Sequence, residues 1–168
     1  ERTRYDSDAV HVELAIEPLE AADLDEVLAL NQANTPHVGD LGAERLAAIV
    51  DECSLALVAR DEDGRLAGFV LVLAPGAAYD SPNYRWFSER YDDFRYVDRI
   101  AVDGTAHRSG LGRRLYGAVF DHARAAGAPV RGEHATCGGE MHAGPSAAGA
   151  QSGRGPRQGA QAPLSFCG

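Results

Sequence analysis

The chain has 168 residues, 45% hydrophobic and 24% charged, the makeup of one ordinary soluble domain long enough to bury a core. Its net charge of -9 disfavours the sequence-independent phosphate attraction on which nucleic-acid binders rely, and makes a cationic or amine-bearing partner easier to accommodate. Cys53, Cys137 and Cys167 form no even framework, so they read as free thiols of a reducing compartment.

The charged stretch ERTRYDSD opens the sequence, and the longest apolar run, GFVLVLAPGAA, is too short to span a bilayer. A cytoplasmic protein without membrane contact is the expectation. Residues 10 to 19, VHVELAIEPL, alternate as a strand does. A helix is expected over 21 to 34, where Asp23 and Glu26 stand at capping-box spacing and Leu24, Val27 and Leu28 share a stripe. Asp40 is the expected N-cap of a second helix over 41 to 52, with Leu46, Ile49 and Val50 on one face. Cys53, at its end, reads as a small apolar residue.

SLALVAR and RLAGFVLVL are strand-like runs, and the DEDG between them suits a hairpin reversal. Residues 75 to 93 show no period and are expected as an excursion packed over the domain. Its Tyr79, Asp80, Tyr84, Trp86, Tyr91, Asp92 and Asp93 either wall a pocket for a cationic amine or pack as an ordinary surface loop. FRYVDRIAV, 94 to 102, returns to strand character, and alternation would put Tyr96, Asp98, Ile100 and Val102 on one face. A further helix follows, with Leu111, Leu115, Val119 and Ala123 at four-residue intervals and Tyr116 and Phe120 beside them.

After Val130 the composition changes. Residues 131 to 168 hold nine of the 19 glycines, with three arginines and two glutamates, and read as a low-complexity tail behind a domain of residues 1 to 130. Within this tail, His134, Cys137 and His142 match no common zinc spacing, and no metal is expected.

The order of strand, glycine turn and helix around HRSGLGRRLYGAVF makes an anion site, because unpaired amides and the positive end of the helix dipole converge there. Gly110 and Gly112 let a phosphate approach the backbone, and Arg108, Arg113 and Arg114 can add charge at the rim. A mononucleotide P-loop is excluded, since the chain has no lysine. A dinucleotide fingerprint fails at Leu115, where its third glycine would stand.

HRSGLG resembles the cofactor loop [QR]-x-x-G-x-[GA] of the GNAT acetyltransferases, with His107 where glutamine or arginine is usual. YVDRIAVD before it and RRLYGAVFDHARAAG after it are similar to that family's strand and helix. The resemblance runs over residues 10 to 130. It implies an α/β fold with a mixed, mostly antiparallel sheet flanked by helices, its C-terminal portion incomplete here.

It also implies transfer of an acetyl group from acetyl-CoA to an amine of a small molecule or peptide. Backbone groups of Ile100, Ala101 and Val102 would pair with the pantetheine arm. His107, Arg108, Ser109, Gly110, Leu111, Gly112 and Arg113 would hold the pyrophosphate. Asp98 is the candidate base for the acceptor's proton, its alternative being a salt bridge, for instance with a helix arginine. The family's tyrosine acid has no counterpart after Tyr116, which leaves a catalytically weak CoA-binding module as the rival reading. A sheet lacking its closing strands would expose an edge on which two copies can associate as a homodimer.

Overall fold

The computed structural model describes residues 14 to 35 and 37 to 132. The tail expected over 131 to 168 therefore lies outside the described residues from 133 onward. Five strands form one sheet in the order β1 (Ala15–Pro18), β2 (Cys53–Arg60), β3 (Leu66–Leu73), β4 (Arg95–Val102) and β5 (Val130–Gly132). The first four pair antiparallel, and β5 runs parallel to β4. The mixed α/β architecture is the one expected, with a fifth strand that includes Arg131 and Gly132.

The helices are α1 (Leu24–Ala33), α2 (Ala43–Glu52), α3 (Pro82–Ser88) and α4 (Leu111–Ala125). Alternation along β3 assigns them to opposite sides of the sheet. Val70 and Val72 pack with Leu111, Leu115 and Val119 of α4, whereas Phe69 and Leu71 pack with Val27 and Leu30 of α1 and Leu46 and Ile49 of α2. A central strand covered on both faces has no polar face to show, and LAGFVLVL is accordingly apolar throughout. Among the described residues, no helix is long and apolar enough to cross a membrane.

Local chemistry closes each element. In the hairpin between β2 and β3, Asp61 Oδ1 accepts the amides of Asp63 at 3.0 Å and Arg65 at 2.8 Å, an Asx turn that fixes the reversal. The expected cap between Asp23 and Glu26 does not form. Asp23 instead accepts the Glu20 amide at 2.7 Å and pairs with Arg60, while Glu26 receives another nitrogen of the same guanidinium at 3.1 Å. Arg60 competes for both carboxylates and wins them. Asp40 is also displaced from its expected role: it accepts the Leu41 amide, and Gly42 precedes the first turn of α2.

Residues 75 to 93 contain α3, which the lack of a period had hidden. Pro82 stands in its first turn, and Tyr84 and Phe87, one turn apart, are buried with Leu73, Phe94 and Tyr96 at one end of the sheet.

Gly68 of β3 sets how closely α4 lies on the sheet. A β-carbon there would stand 3.0 Å from the Ala101 carbonyl oxygen and 3.0 Å from Leu111 Cδ2, so backbone and helix would have to move apart. Gly68→Ala is expected to destabilise the domain by about 1–3 kcal/mol, the usual cost of overpacking. Urea unfolding measures this, and an unchanged midpoint would refute the close approach.

Candidate active site

One extra residue in β4 shapes the site. The register steps from Leu71↔Arg99 to Val72↔Val97, so Asp98 is the additional residue of a β-bulge. Strict alternation fails at this point. Tyr96 joins the aromatic cluster around α3, while Ile100 and Val102 pack toward α4. The single face expected for Tyr96, Asp98, Ile100 and Val102 is thus broken in two, because an inserted residue reverses the parity of all that follows.

The bulge lets two consecutive side chains meet. Arg99 Nε donates to Asp98 Oδ2 at 2.7 Å, with side-chain exposures of 10% and 5%. The salt bridge is to a neighbour on the same strand rather than to a helix arginine. Arg99 Nη1 continues to Asn31 Oδ1 at 2.9 Å and to the Gly39 carbonyl at 3.3 Å, and Asn31 Nδ2 donates to that same carbonyl at 3.1 Å. Tyr79 completes the network, its hydroxyl donating to Asp98 Oδ1 at 2.5 Å. Burial, followed by the nearby Asp98 charge, pushes the Tyr79 phenol above its ordinary range.

The sheet is irregular on both sides of this point. β2 steps from Cys53↔Leu73 to Leu55↔Val72, making Ser54 the extra residue on the other flank of β3. Ser54 Oγ lies 3.2 Å from His122 Nε2, and burial holds the His122 ring below its ordinary range. Cys53 beside it is half-buried, and its thiol is pushed up to about 12 chiefly by desolvation. That fits its reading as an inert apolar residue. On the far side, β5 pairs with β4 as far as Val97↔Gly132, where the described residues stop. Ile100, Ala101 and Val102 pair with Val70, Phe69 and Gly68 along one edge, and among the described residues no strand pairs with their other edge.

Beyond β4, Asp103 caps a single 3-10 turn by accepting the Thr105 amide at 2.9 Å and hydroxyl at 2.6 Å, bonds that hold its carboxyl below the usual range. The chain then passes through two left-handed residues, Arg108 (φ 72°) and Gly110 (φ 77°), before α4 begins at Leu111. Glycine takes this conformation freely, whereas Arg108 does so at a cost of about 1–2 kcal/mol. Ser109 Oγ accepts the Leu111 amide at 3.2 Å and donates to the Ala106 carbonyl at 2.7 Å. A β-carbon on Gly110 or Gly112 would meet nothing within 4 Å, so open space lies directly outside the helix start.

His107, Arg108, Ser109 and Arg113 are exposed around that space, and Leu111 is buried beneath it. Arg114 does not join the rim: its Nη2 donates to the Leu14 carbonyl at 2.7 Å.

The aromatic and acidic residues of the excursion are mostly spent on packing. Tyr84 is core, its hydroxyl bonded to the Ala77 amide and the Ala74 carbonyl. Asp80 pairs with Arg45 and Asp93 with Arg95, while the guanidinium of Arg90 covers the Trp86 ring at 4.3 Å and that of Arg131 covers Tyr91 at 4.8 Å. Of the group, Tyr79 is the residue that reaches Asp98. Tyr116 is partly buried and stacked on Phe120. His134, Cys137 and His142 lie outside the described residues.

A strand, then a glycine turn, then a helix is the order on which the sequence resemblance rested, and the structure has it in β4, residues 107 to 110 and α4. Residues 23 to 134 match the Acetyltransferase (GNAT) family, and the chain belongs to that family. Nothing among curated proteins matches the chain. Solved structures share its fold. The aminoglycoside 6'-N-acetyltransferase AAC(6')-Ih from Acinetobacter baumannii is 16% identical with a TM-score of 0.56, over 75% of this chain and 82% of that one. Glucosamine-6-phosphate N-acetyltransferase from Arabidopsis thaliana is 18% identical with a TM-score of 0.52, over 74% and 84%. AAC(6')-Iy, solved with the bisubstrate analog CoA-S-monomethyl-acetylneamine, is 16% identical with a TM-score of 0.55, over 74% and 81%.

Arg99 needs its acceptors. Asn31 is fully buried, so Asn31→Leu would leave the guanidinium facing an apolar side chain. This substitution is expected to lower stability by about 1–3 kcal/mol, the cost of an unmet buried polar group. Chemical denaturation monitored by circular dichroism checks it, and wild-type stability would show that Arg99 is satisfied without Asn31.

Proposed function

We propose that this chain moves an acetyl group from acetyl-CoA to the amine of a small molecule or peptide. The observation that carries the reading is the juxtaposition of two features: among the described residues no strand pairs with the second edge of Ile100, Ala101 and Val102, and the next turn of chain enters α4 through a left-handed glycine with open space outside it. The first suits an extended arm laid along Ile100, Ala101 and Val102, taking backbone hydrogen bonds as a strand would. The second suits a pyrophosphate held by residues 107 to 113, where first-turn amides, the helix dipole, Arg108 and Arg113 favour negative charge.

Acetyl-CoA supplies an activated thioester carbonyl. Asp98 accepts a proton from the incoming ammonium, directly or through water, and leaves a neutral amine whose attack on the carbonyl forms the N–C bond, breaks the C–S bond and gives the departing thiolate the proton that the nitrogen loses. Its carboxylate has about four lone-pair directions, of which Arg99 and Tyr79 use two, so acceptor capacity remains. The same two bonds also favour a second reading, a module that holds CoA without turning it over, because both carboxylate oxygens of Asp98 already have protein partners.

Calorimetry tests the cofactor half of the proposal. Gly112→Leu places a side chain in the open space at a helical position, and is expected to weaken CoA binding about tenfold or more while the thermal midpoint holds. Equal affinity would remove residues 107 to 113 from the site. Thiol release from acetyl-CoA with neamine, glucosamine 6-phosphate and an alanine-terminated peptide tests the transfer half. CoA binding without thiol release from any of them would favour the silent module.

A further inference from the structure

We infer that Tyr79 is a positioning residue for Asp98: its hydroxyl and the Arg99 guanidinium clamp the two carboxylate oxygens from different segments of chain, aiming the remaining lone pairs at the acceptor ammonium. This rests on the acetyl-transfer reading above.

A carboxylate on a strand turns about two side-chain torsions. Arg99 bonds one oxygen only and leaves rotation about that bond open. Tyr79 comes from a different segment, 19 residues away, and takes the other oxygen, so the two bonds together fix both torsions. Each clamp is itself held. Arg99 is anchored to Asn31 of α1 and to the Gly39 carbonyl. The Tyr79 ring stands edge-on to Tyr84 at 5.6 Å and beneath the Arg45 guanidinium at 5.1 Å. The backbone on either side is pinned to α2, since the Ala78 amide donates to Glu52 at 2.7 Å and Asp80 pairs with Arg45.

A phenylalanine would fill the same space and stack on the same neighbours. The hydroxyl therefore has one evident use at this position, its bond to Asp98. The titratable and charged groups around Tyr79 are Asp98, Arg99 and Tyr96 from β4, Arg45 from α2, Tyr84 from α3 and the adjacent Asp80. Burial and Asp98 hold the phenol in its protonated form, with Arg99 opposing, so it stays a donor through the neutral range.

Two measurements on the full chain test the inference. Ring-carbon NMR of labelled tyrosine, assigned by comparison with Tyr79→Phe, follows the phenol as pH rises. In Asp98→Asn it is expected to ionise at lower pH than in the parent, and an unmoved titration would overturn the coupling. Acetyl-CoA turnover is then measured with whichever of neamine, glucosamine 6-phosphate and the peptide the parent acetylates.

Tyr79→Phe is expected to lower kcat about tenfold, the worth of one hydrogen bond to a charged group. The KM for acetyl-CoA is expected to stay, and the substitution should lower kcat no further in an Asp98→Asn background. Loss of stability with kcat intact, or losses that multiply in the double variant, would overturn the role of Tyr79 alone. Full turnover in Asp98→Asn would instead remove Asp98 as the base. Absence of turnover in the parent would overturn the transfer reading, and this role for Tyr79 with it.

Discussion

The guanidinium of Arg99 is the group around which the rest of the site is arranged. A buried charge demands compensation, and its partners come from its own strand, from α1 and from the loop that leads into α2. Such a network is weak ground for stability, since the desolvation of two charges offsets much of their attraction. It does fix geometry. With Arg99 satisfied in one way only, the bulge of β4, the start of α2 and the carboxylate of Asp98 keep a common frame.

That frame is framed in turn by β3. Its neighbours on both sides bulge opposite Val72, and each bulge adds local twist. The two bulges aim polar groups at partners outside the sheet: Ser54, exposed near the start of β2, toward His122, and Asp98 toward Tyr79. Further along β3, Gly68 draws α4 against the sheet through Leu111, which sets the height of the glycine turn above β4. One strand thus positions both the Asp98–Tyr79 pair and the helix start, although it contributes no side chain to either.

Much of this was legible in the sequence where a period ran long enough. The 15 residues of α4 repeat leucine, valine and alanine every four positions, and the hairpin around DEDG carries its own turn chemistry. The glycine turn was legible as well, because Gly110 and Gly112 stand directly before a stretch with a clear helical period. The bulge was not. FRYVDRIAV reads as plain alternation, and one inserted residue leaves no mark on composition; the only clue was an adjacent Asp and Arg inside an apolar strand. α3 was missed because seven residues span barely two turns, although Ser-Pro followed by two aromatics three apart is a fair sign of a short capped helix. Tyr79 was one of seven polar or aromatic residues in a segment without period, and only three-dimensional pairing separates it from the rest.

The order of strands across the sheet is also their order along the chain. Each strand therefore docks on the one made just before it, and no early strand has to wait unpaired for a distant partner. Loop-closure entropy is spent in small steps, the more so because three of the four strand pairings are antiparallel. Folding can proceed as growth from one edge to the other, keeping pace with synthesis. Among the described strands, β5 is added last and needs the α4 crossover in place first, because it is the one that runs parallel to its neighbour.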